Sequence, residues 1–415
     1  MLASVDARRV ISSIESLPDR FIGDDARLDA RFRLSIDDVV RDVCVSRDRC
    51  KIELPTGVPT AEIATDASTW LDLDAGRISG IEAFAQRKLE IRGSIERSLL
   101  FEPLFERPDA GAMRYTLEII HTRRARVSTL LAGDPDLPPL VLVHGLGATK
   151  ASWLTIVAKL ARHHRVIALD LPGFGASSKP MGSYTARWFA RHVFDVMSVL
   201  GHDQAFVAGN SMGGRVAMEM ALLEPERVSG IACLCPAAAF TKRPALWLAR
   251  LARPELGFFA GRLPRHRVRE GLMQLFADAS CIEDSWYEAA VDDFLDVWKS
   301  PRARMAFSAA LRSIYLDEPT GERGLWTRLK GMSVPAFYIY GARDVLITHH
   351  FAKKVRKHVP EADVRVWRDC GHVPQIEFPD RTANSIIEAF AADERTVRAH
   401  RASKAATVLS EADVG

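Results

Sequence analysis

The 415-residue sequence has only six cysteines and no C-x-x-C pair among them. It therefore lacks a zinc-type ligand pattern and the dense cysteine framework of a small secreted domain, and a reducing, cytoplasmic setting with free thiols is expected. No apolar run approaches the roughly 20 residues that span a bilayer. The opening stretch MLASVDARRVISSIESL breaks its apolar positions with Asp6, Arg8, Arg9 and Glu15, unlike the unbroken core of a signal peptide. A net charge of +3, with no basic stripe interleaved with aromatics, leaves nothing to read as a nucleic-acid surface. The Gly-rich stretch DLPGFGASSKP, Asp170 to Pro180, fits neither GxGxxG nor GxxxxGK[ST], so no phosphate-cradling loop is expected there. No internal repeat is present, and the chemistry read below requires no metal or organic cofactor.

What is present divides into two textures. Up to Arg107, apolar and polar residues alternate: Phe32, Leu34 and Ile36, then Val43 and Val45, then Ile52 and Leu54. Alternation implies sheets with one wet face and hence antiparallel pairing. Helical patterns follow around Trp70–Asp74 and Gly80–Lys88. Beyond a hairpin of YTLEII and RVSTLLAG, the strands become continuous apolar runs, LVLVHG, RVIALD, AFVAGN, GIACLCP and AFYIYG, each followed by a helical stretch. That pattern predicts a parallel sheet covered on both faces. The expected division is a first domain over 1–107, a linker over 108–113 and a second domain over 114–392. A tail over 393–415 is expected to be weakly structured. About a hundred helical residues separate Pro236 from Pro335, too many for a simple crossover, and predict an inserted cap over about 237–329. Its stretch LWLARLARPELGFFAGRLPRHRVRE reads as a lid, with a membrane-surface helix as the alternative.

The chemistry centres on FVAGNSMGGRVAMEM. Here Ser211 sits between a strand-type run and a helical one in the spacing G-x-S-x-G, where glycines let a tight turn push a hydroxyl out at the sheet edge. A serine needs a base, and the base needs an orienting acid. Asp344, after AFYIYG, and His372, after DVRVW, stand at the ends of consecutive strands on the same edge. Asp369 is the rival acid, ranked lower because it shares a loop with His372. Oxyanion donors are expected from the backbone N–H of Met212 and of Leu146 in VHGLGATKASW, with His144 bracing that loop. In the cap, Trp247, Phe258 and Phe259 are candidate substrate-binding residues, while Trp286 and Tyr287 read as core.

With these residues in view, Leu140 to Phe390 resembles the α/β-hydrolase superfamily through VLVHGLGATKASW, DLPGFGASSKP, GNSMGGRVAME, YGARDVL and CGHVPQIEFP, in family order. The resemblance implies an α/β-hydrolase fold with an inserted helical cap and the triad Ser211, Asp344 and His372. It also implies an eight-stranded, mostly parallel sheet. A serine nucleophile counts against epoxide hydrolases and haloalkane dehalogenases, which use aspartate. Carboxylesterases, lipases, thioesterases, carbon–carbon bond hydrolases and cofactor-free haloperoxidases remain. The stretch ASTWLDLDAGRISGIEAFAQRKLEIRGSIERSLLFEPLF resembles the later half of the sterol carrier protein type 2 domain, with Ser94 where that family more often has Asp. This implies a small α+β domain with an apolar lipid tunnel, or a structural remnant of one.

The expected function is serine hydrolysis of a carboxylic ester or thioester with an apolar part. Carbon–carbon bond hydrolysis by the same triad is one alternative, and a lipid-shuttling protein with a non-catalytic hydrolase fold is another. The partners expected are a small apolar substrate and a lipid in the first domain, with no nucleic acid and no transmembrane segment; the oligomeric state stays open. The short linker would keep the two pockets within a few nanometres.

Overall fold

The computed structural model describes residues 5–23, 29–238, 261 and 263–391. Trp247, Phe258, Phe259, most of the lid-like stretch and the tail over 393–415 lie outside the described residues.

The first domain is a five-stranded sheet carrying helices on one face. Its strands are β1 (Asp29–Ile36), β2 (Val39–Ser46), β3 (Arg49–Glu53), β4 (Ala61–Thr65) and β5 (Leu89–Gly93), in the order β3-β2-β1-β4-β5. The alternation marks the covered face correctly: Phe32, Leu34, Ile36, Val43 and Val45 are all buried. It does not give strand direction. β1 pairs antiparallel with β2 but parallel with β4, from Phe32 opposite Ala61 to Ile36 opposite Thr65. Direction is set by the connection, because the chain leaving the β3 edge crosses β2 and β1 to lie on the far side of β1. Leu54 falls beyond β3 and is exposed.

The covering helices are α1 (Val5–Glu15), α2 (Ala67–Asp74) and α3 (Gly80–Ala85). Asp66 caps α2 by accepting from the Thr69 N–H at 2.8 Å, and Ser79 with Glu82 forms a reciprocal capping box on α3. Trp70 closes the core against α1, its indole N–H donating to Ser13 Oγ at 3.0 Å. A one-turn helix α4 (Ile95–Ser98) follows β5.

The second domain is an eight-stranded sheet. Its strands are β6 (Tyr115–His121), β7 (Arg126–Ala132), β8 (Pro139–Val143), β9 (Arg165–Leu169), β10 (Ala205–Asn210), β11 (Val228–Leu234), β12 (Ala336–Gly341) and β13 (Asp363–Trp367). The order is β13-β12-β11-β10-β8-β9-β7-β6, parallel except where β7 pairs with β6 and β9. Leu140 to Val143, Val166 to Leu169 and Ile231 to Leu234 are buried, as continuous apolar runs require when both sheet faces are covered. Helices α5 (Leu154–Leu160), α6 (Ala186–Val199) and α7 (Met212–Leu223) provide cover. The cap contributes α8 (Arg265–Met273), α9 (Asp284–Trp298), α10 (Pro301–Leu316) and α11 (Leu325–Leu329); α12 (Phe351–His358) and α13 (Pro374–Glu377) follow.

The domains are docked as well as joined. One continuous apolar cluster runs from Val10 and Phe32 in the first domain to Leu154, Trp153 and Phe390 in the second. The connecting stretch lies along the first domain, where the Ala112 N–H donates to Gly76 O at 3.1 Å and the Met113 N–H to Glu82 Oε2 at 3.2 Å. No described helix is long and apolar enough to cross a membrane.

Candidate active site

Ser211 stands at the junction of β10 and α7 with φ 54°, a left-handed conformation that a non-glycine residue adopts only when its surroundings enforce it. Those surroundings explain the flanking glycines. A Cβ on Gly209 would lie 2.3 Å from the Gly213 carbonyl, and one on Gly213 would lie 2.0 Å from Val143 O. Both are backbone collisions, so the turn closes only with glycine at both positions. The Ser211 N–H donates to Leu234 O and its carbonyl accepts from the Ala237 N–H, each at 2.9 Å, which fixes the turn from both sides.

Asp344 and His372 meet at the neighbouring strand ends. His372 Nδ1 lies 2.7 Å from Asp344 Oδ2, and both side chains are almost wholly enclosed. Asp344 Oδ1 accepts from the Leu346 and Ile347 N–H groups at 2.8 and 2.9 Å, so the carboxylate cannot swing. The His372 peptide is gripped at both ends: its N–H donates to Leu275 O of the cap, and its carbonyl accepts from Asn210 Nδ2 at 3.0 Å. Asn210 precedes Ser211, so one side chain ties the serine's turn to the histidine's loop. Asp369 faces away, exposed and 3.1 Å from Arg381.

The loop holding Leu146 runs beside Ser211, where a Cβ on Gly145 would come within 3.4 Å of the serine Cβ. His144 braces it. Its Nε2 accepts from the Leu171 N–H at 3.0 Å, which leaves the ring proton on Nδ1 to donate to Gly145 O at 2.7 Å. Burial favours this neutral ring and holds its pKa below the ordinary histidine value. Met212 begins α7, and the first amides of a helix have no intrahelical acceptor.

Three residues that sequence reasoning did not single out complete the surroundings. A Cβ on Gly147 would meet the rings of Phe307 and Phe294 at 3.0 and 3.1 Å, so cap aromatics roof the loop. Cys235 follows β11, and its Sγ lies with the donor atoms of Asp344 and His372 inside 4.8 Å. This is the only such group among the described residues. Burial drives the Cys235 thiol well above its usual value, and His372 Nδ1 is already bonded to Asp344, so a ligand set for a cation does not form readily. Tyr287 is buried with Phe276, Val373 and Ile376, and Trp286 packs against this cluster, joining the cap to the histidine loop.

Residues 138–379 match the family model described as alpha/beta hydrolase fold. The chain belongs to that family. Residues 25–106 match the model of the SCP-2 sterol transfer family. Among curated relatives, the acetyltransferase component of the acetoin cleaving system of Pseudomonas putida is 30% identical over 60% of this chain. The match spans 62% of that relative, less than two thirds of its length. The pimeloyl-[acyl-carrier protein] methyl ester esterase of Aeromonas salmonicida is 28% identical over 59% of this chain and 92% of its own. Among solved structures, 2-hydroxy-6-oxo-6-phenylhexa-2,4-dienoate hydrolase of Rhodococcus sp. strain RHA1 superposes with a TM-score of 0.55 at 27% identity, over 66% of this chain and all of that one. This α/β hydrolase is an enzyme whose relatives include proteins named as a methyl ester esterase and as a dienoate hydrolase.

Proposed function

We propose that this α/β hydrolase cleaves a carboxylic ester or thioester through an acyl-serine intermediate. Ser211 attacks the acyl carbon, His372 accepts the serine proton, and Asp344 holds the imidazole with Nδ1 protonated. The backbone N–H groups of Met212 and Leu146 receive the oxyanion. Protonated His372 then gives its proton to the leaving group, and water activated by the same imidazole releases the acid. The observation that carries this reading is the enforced conformation of Ser211 on the same sheet edge as the hydrogen-bonded His372–Asp344 pair. Ser211→Ala should abolish both turnover of a short acyl ester and labelling by a fluorophosphonate. Retained stoichiometric labelling at another serine would overturn the assignment.

One observation favours the carbon–carbon bond reading. A cleft of about 1270 Å³ beside Met212 is lined by five arginines. Arg187, Arg215 and Arg328 already pair with Glu219 or Asp317, and Arg323 of the cap region lies on the same wall, placed to meet a substrate bearing its own carboxylate. Acyl esters assayed beside a vinylogous diketo-acid separate the two.

The first domain is read as a lipid-handling module. Its cavity, of about 80 Å³, is lined by Ile63, Trp70, Leu73, Phe84, Leu99 and Phe101 among others, with Glu102 and Arg107 at its polar margin. Burial pushes the Glu102 carboxyl up to about 7. A cavity of about 150 Å³ accepts benzene, so an acyl chain must displace side chains to enter here. Six free thiols, three of them buried, fit a cytoplasmic location.

A further inference from the structure

The seam between the domains buries charge. Lys150, 1% exposed, directly follows the loop that holds Leu146. Its ammonium donates to Glu96 of the first domain, to Asp170 Oδ2 at 3.0 Å and to Ser128 Oγ at 3.0 Å, while its own N–H donates to Asp170 Oδ1 at 2.7 Å. Burial alone would neutralise the lysine, but Asp170 and Glu96 outweigh it and keep the ammonium charged. The same turn of the first domain also grips the cap. Ser94 Oγ donates to Asp293 Oδ1 at 2.5 Å, and the Glu96 N–H reaches Asp293 Oδ2 at 3.3 Å. Asp293 adjoins Phe294, which with Phe307 roofs Gly147.

The oxyanion loop is therefore bounded on every side. His144 and Asp170 hold its two ends from the sheet, cap aromatics lie above, and Ser94 and Glu96 hold both Lys150 and the cap. A buried ion pair adds little stability compared with apolar packing of the same volume, so what it contributes here is register. We propose that Glu96 is a positioning residue for the oxyanion loop, and that the first domain is thereby required for turnover of every substrate, the shortest ester included. This rests on the serine-hydrolase reading above. It differs from a carrier role, in which a docked lipid pocket would aid long-chain substrates only.

The test uses the full chain and p-nitrophenyl acetate, with active sites titrated by a fluorophosphonate. Glu96→Ala should lower kcat per titrated site by about 10- to 100-fold, the scale on which small misplacements act, with KM within about twofold. The Ki of a trifluoromethyl ketone, which needs the same oxyanion donors, should rise by a matching factor. Glu96→Gln keeps an acceptor for Lys150 and should lose less. Should Glu96→Ala fail to fold, Ser94→Ala removes the contact to Asp293 together with the N-cap of α4, the turn that carries Glu96, and should lower kcat by about 3- to 10-fold. An interface that merely holds the domains together would lower the number of titrated sites and leave kcat per site and Ki unchanged, and that result overturns the proposal. So does a loss confined to long-chain esters. A wild-type enzyme that does not label at Ser211 overturns the hydrolase reading itself. A labelled wild type with an unaltered Glu96→Ala variant overturns the positioning role alone.

Discussion

Replacing Asp344 by asparagine removes one charge and almost no volume, yet the surroundings dictate which way the amide must face. Oδ1 accepts two backbone N–H groups, from Leu346 and Ile347, at 2.8 and 2.9 Å. An amide NH₂ placed there would confront two donors and forfeit both bonds, at about 0.5–1.5 kcal/mol each, with the larger loss at the part-buried Ile347 N–H. The amide oxygen therefore takes the Oδ1 position, and the NH₂ points at His372 Nδ1, now 2.7 Å from Oδ2. Nδ1 must then accept, so the ring proton moves to Nε2, the nitrogen that should receive the serine proton. A triad locked in this tautomer loses about 10⁴-fold in kcat, equivalent to about 5.4 kcal/mol of barrier. The assay is kcat on a short acyl ester, with circular dichroism to verify the fold and low-field proton NMR to follow the Nδ1 proton, whose resonance should vanish. Asp369→Asn is the control. Exposed and, among the described residues, paired with Arg381, it should stay within twofold of wild type. A loss below tenfold for Asp344→Asn, or a greater loss for Asp369→Asn, would refute the reasoning.

Three further predictions concern the first domain and its seam. Burial would raise the Asp42 carboxyl, but Arg33, the Thr56 N–H and Arg31 outweigh it and hold it below the ordinary value. Its contribution is thus full above about pH 4 and is lost as pH falls through the lower folded value; Asp42→Asn should flatten the acid limb of Tm against pH. Asp293 has the opposite sign: burial, opposed by the Ser94 hydrogen bond and aided by Glu96, carries it up to about 7. The folded chain then binds the extra proton between about pH 4 and 7, so this contribution is full below about 4 and gone above 7. Asp293→Asn should remove that decline, and an unchanged Tm profile would show that Asp293 does not titrate at the seam. In the cavity, Leu73→Ala should cost about 3 kcal/mol in a denaturant melt while strengthening binding of a fluorescent fatty-acid analogue several-fold. Unchanged affinity would place any lipid elsewhere.

Local geometry was legible from the residues because each signal is carried by a short stretch of chain. Gly209 and Gly213 advertise a turn that no side chain fits, and the run Val207–Ala208 advertises a strand covered on both faces. Asp344 and His372 could be paired because each follows its own parallel strand, and parallel strands deliver their ends to one edge. Strand direction in the first domain was not legible, since a period of two records which face is covered and is silent on which neighbour the strand finds. The cap aromatics that touch the loop were equally hidden. Phe294 and Phe307 lie on α9 and α10 at ordinary helical spacing, and nothing local distinguishes a ring over Gly147 from one in a helix–helix contact.

The docking of the domains lay furthest beyond sequence reasoning, for a reason that bears on function. Nothing local in the sequence marks Glu96, Lys150 or Asp293 as buried, because a single ionisable residue in a mixed sequence gives no sign of burial. Their partners are 54 and 197 positions apart in the chain. Only the fold brings them together, and the cost of desolvating them is tolerable only because they meet. A flexible tether would have left the two pockets as independent sites whose coupling depends on effective concentration alone. A shared apolar cluster with a buried ion pair instead sets the cavity wall residues Ile91 and Ile95 beside the turn carrying Ser94 and Glu96. That turn holds both Lys150 and Asp293, so under the positioning role proposed above a change in the first domain would reach the loop holding Leu146 through two contacts rather than through diffusion.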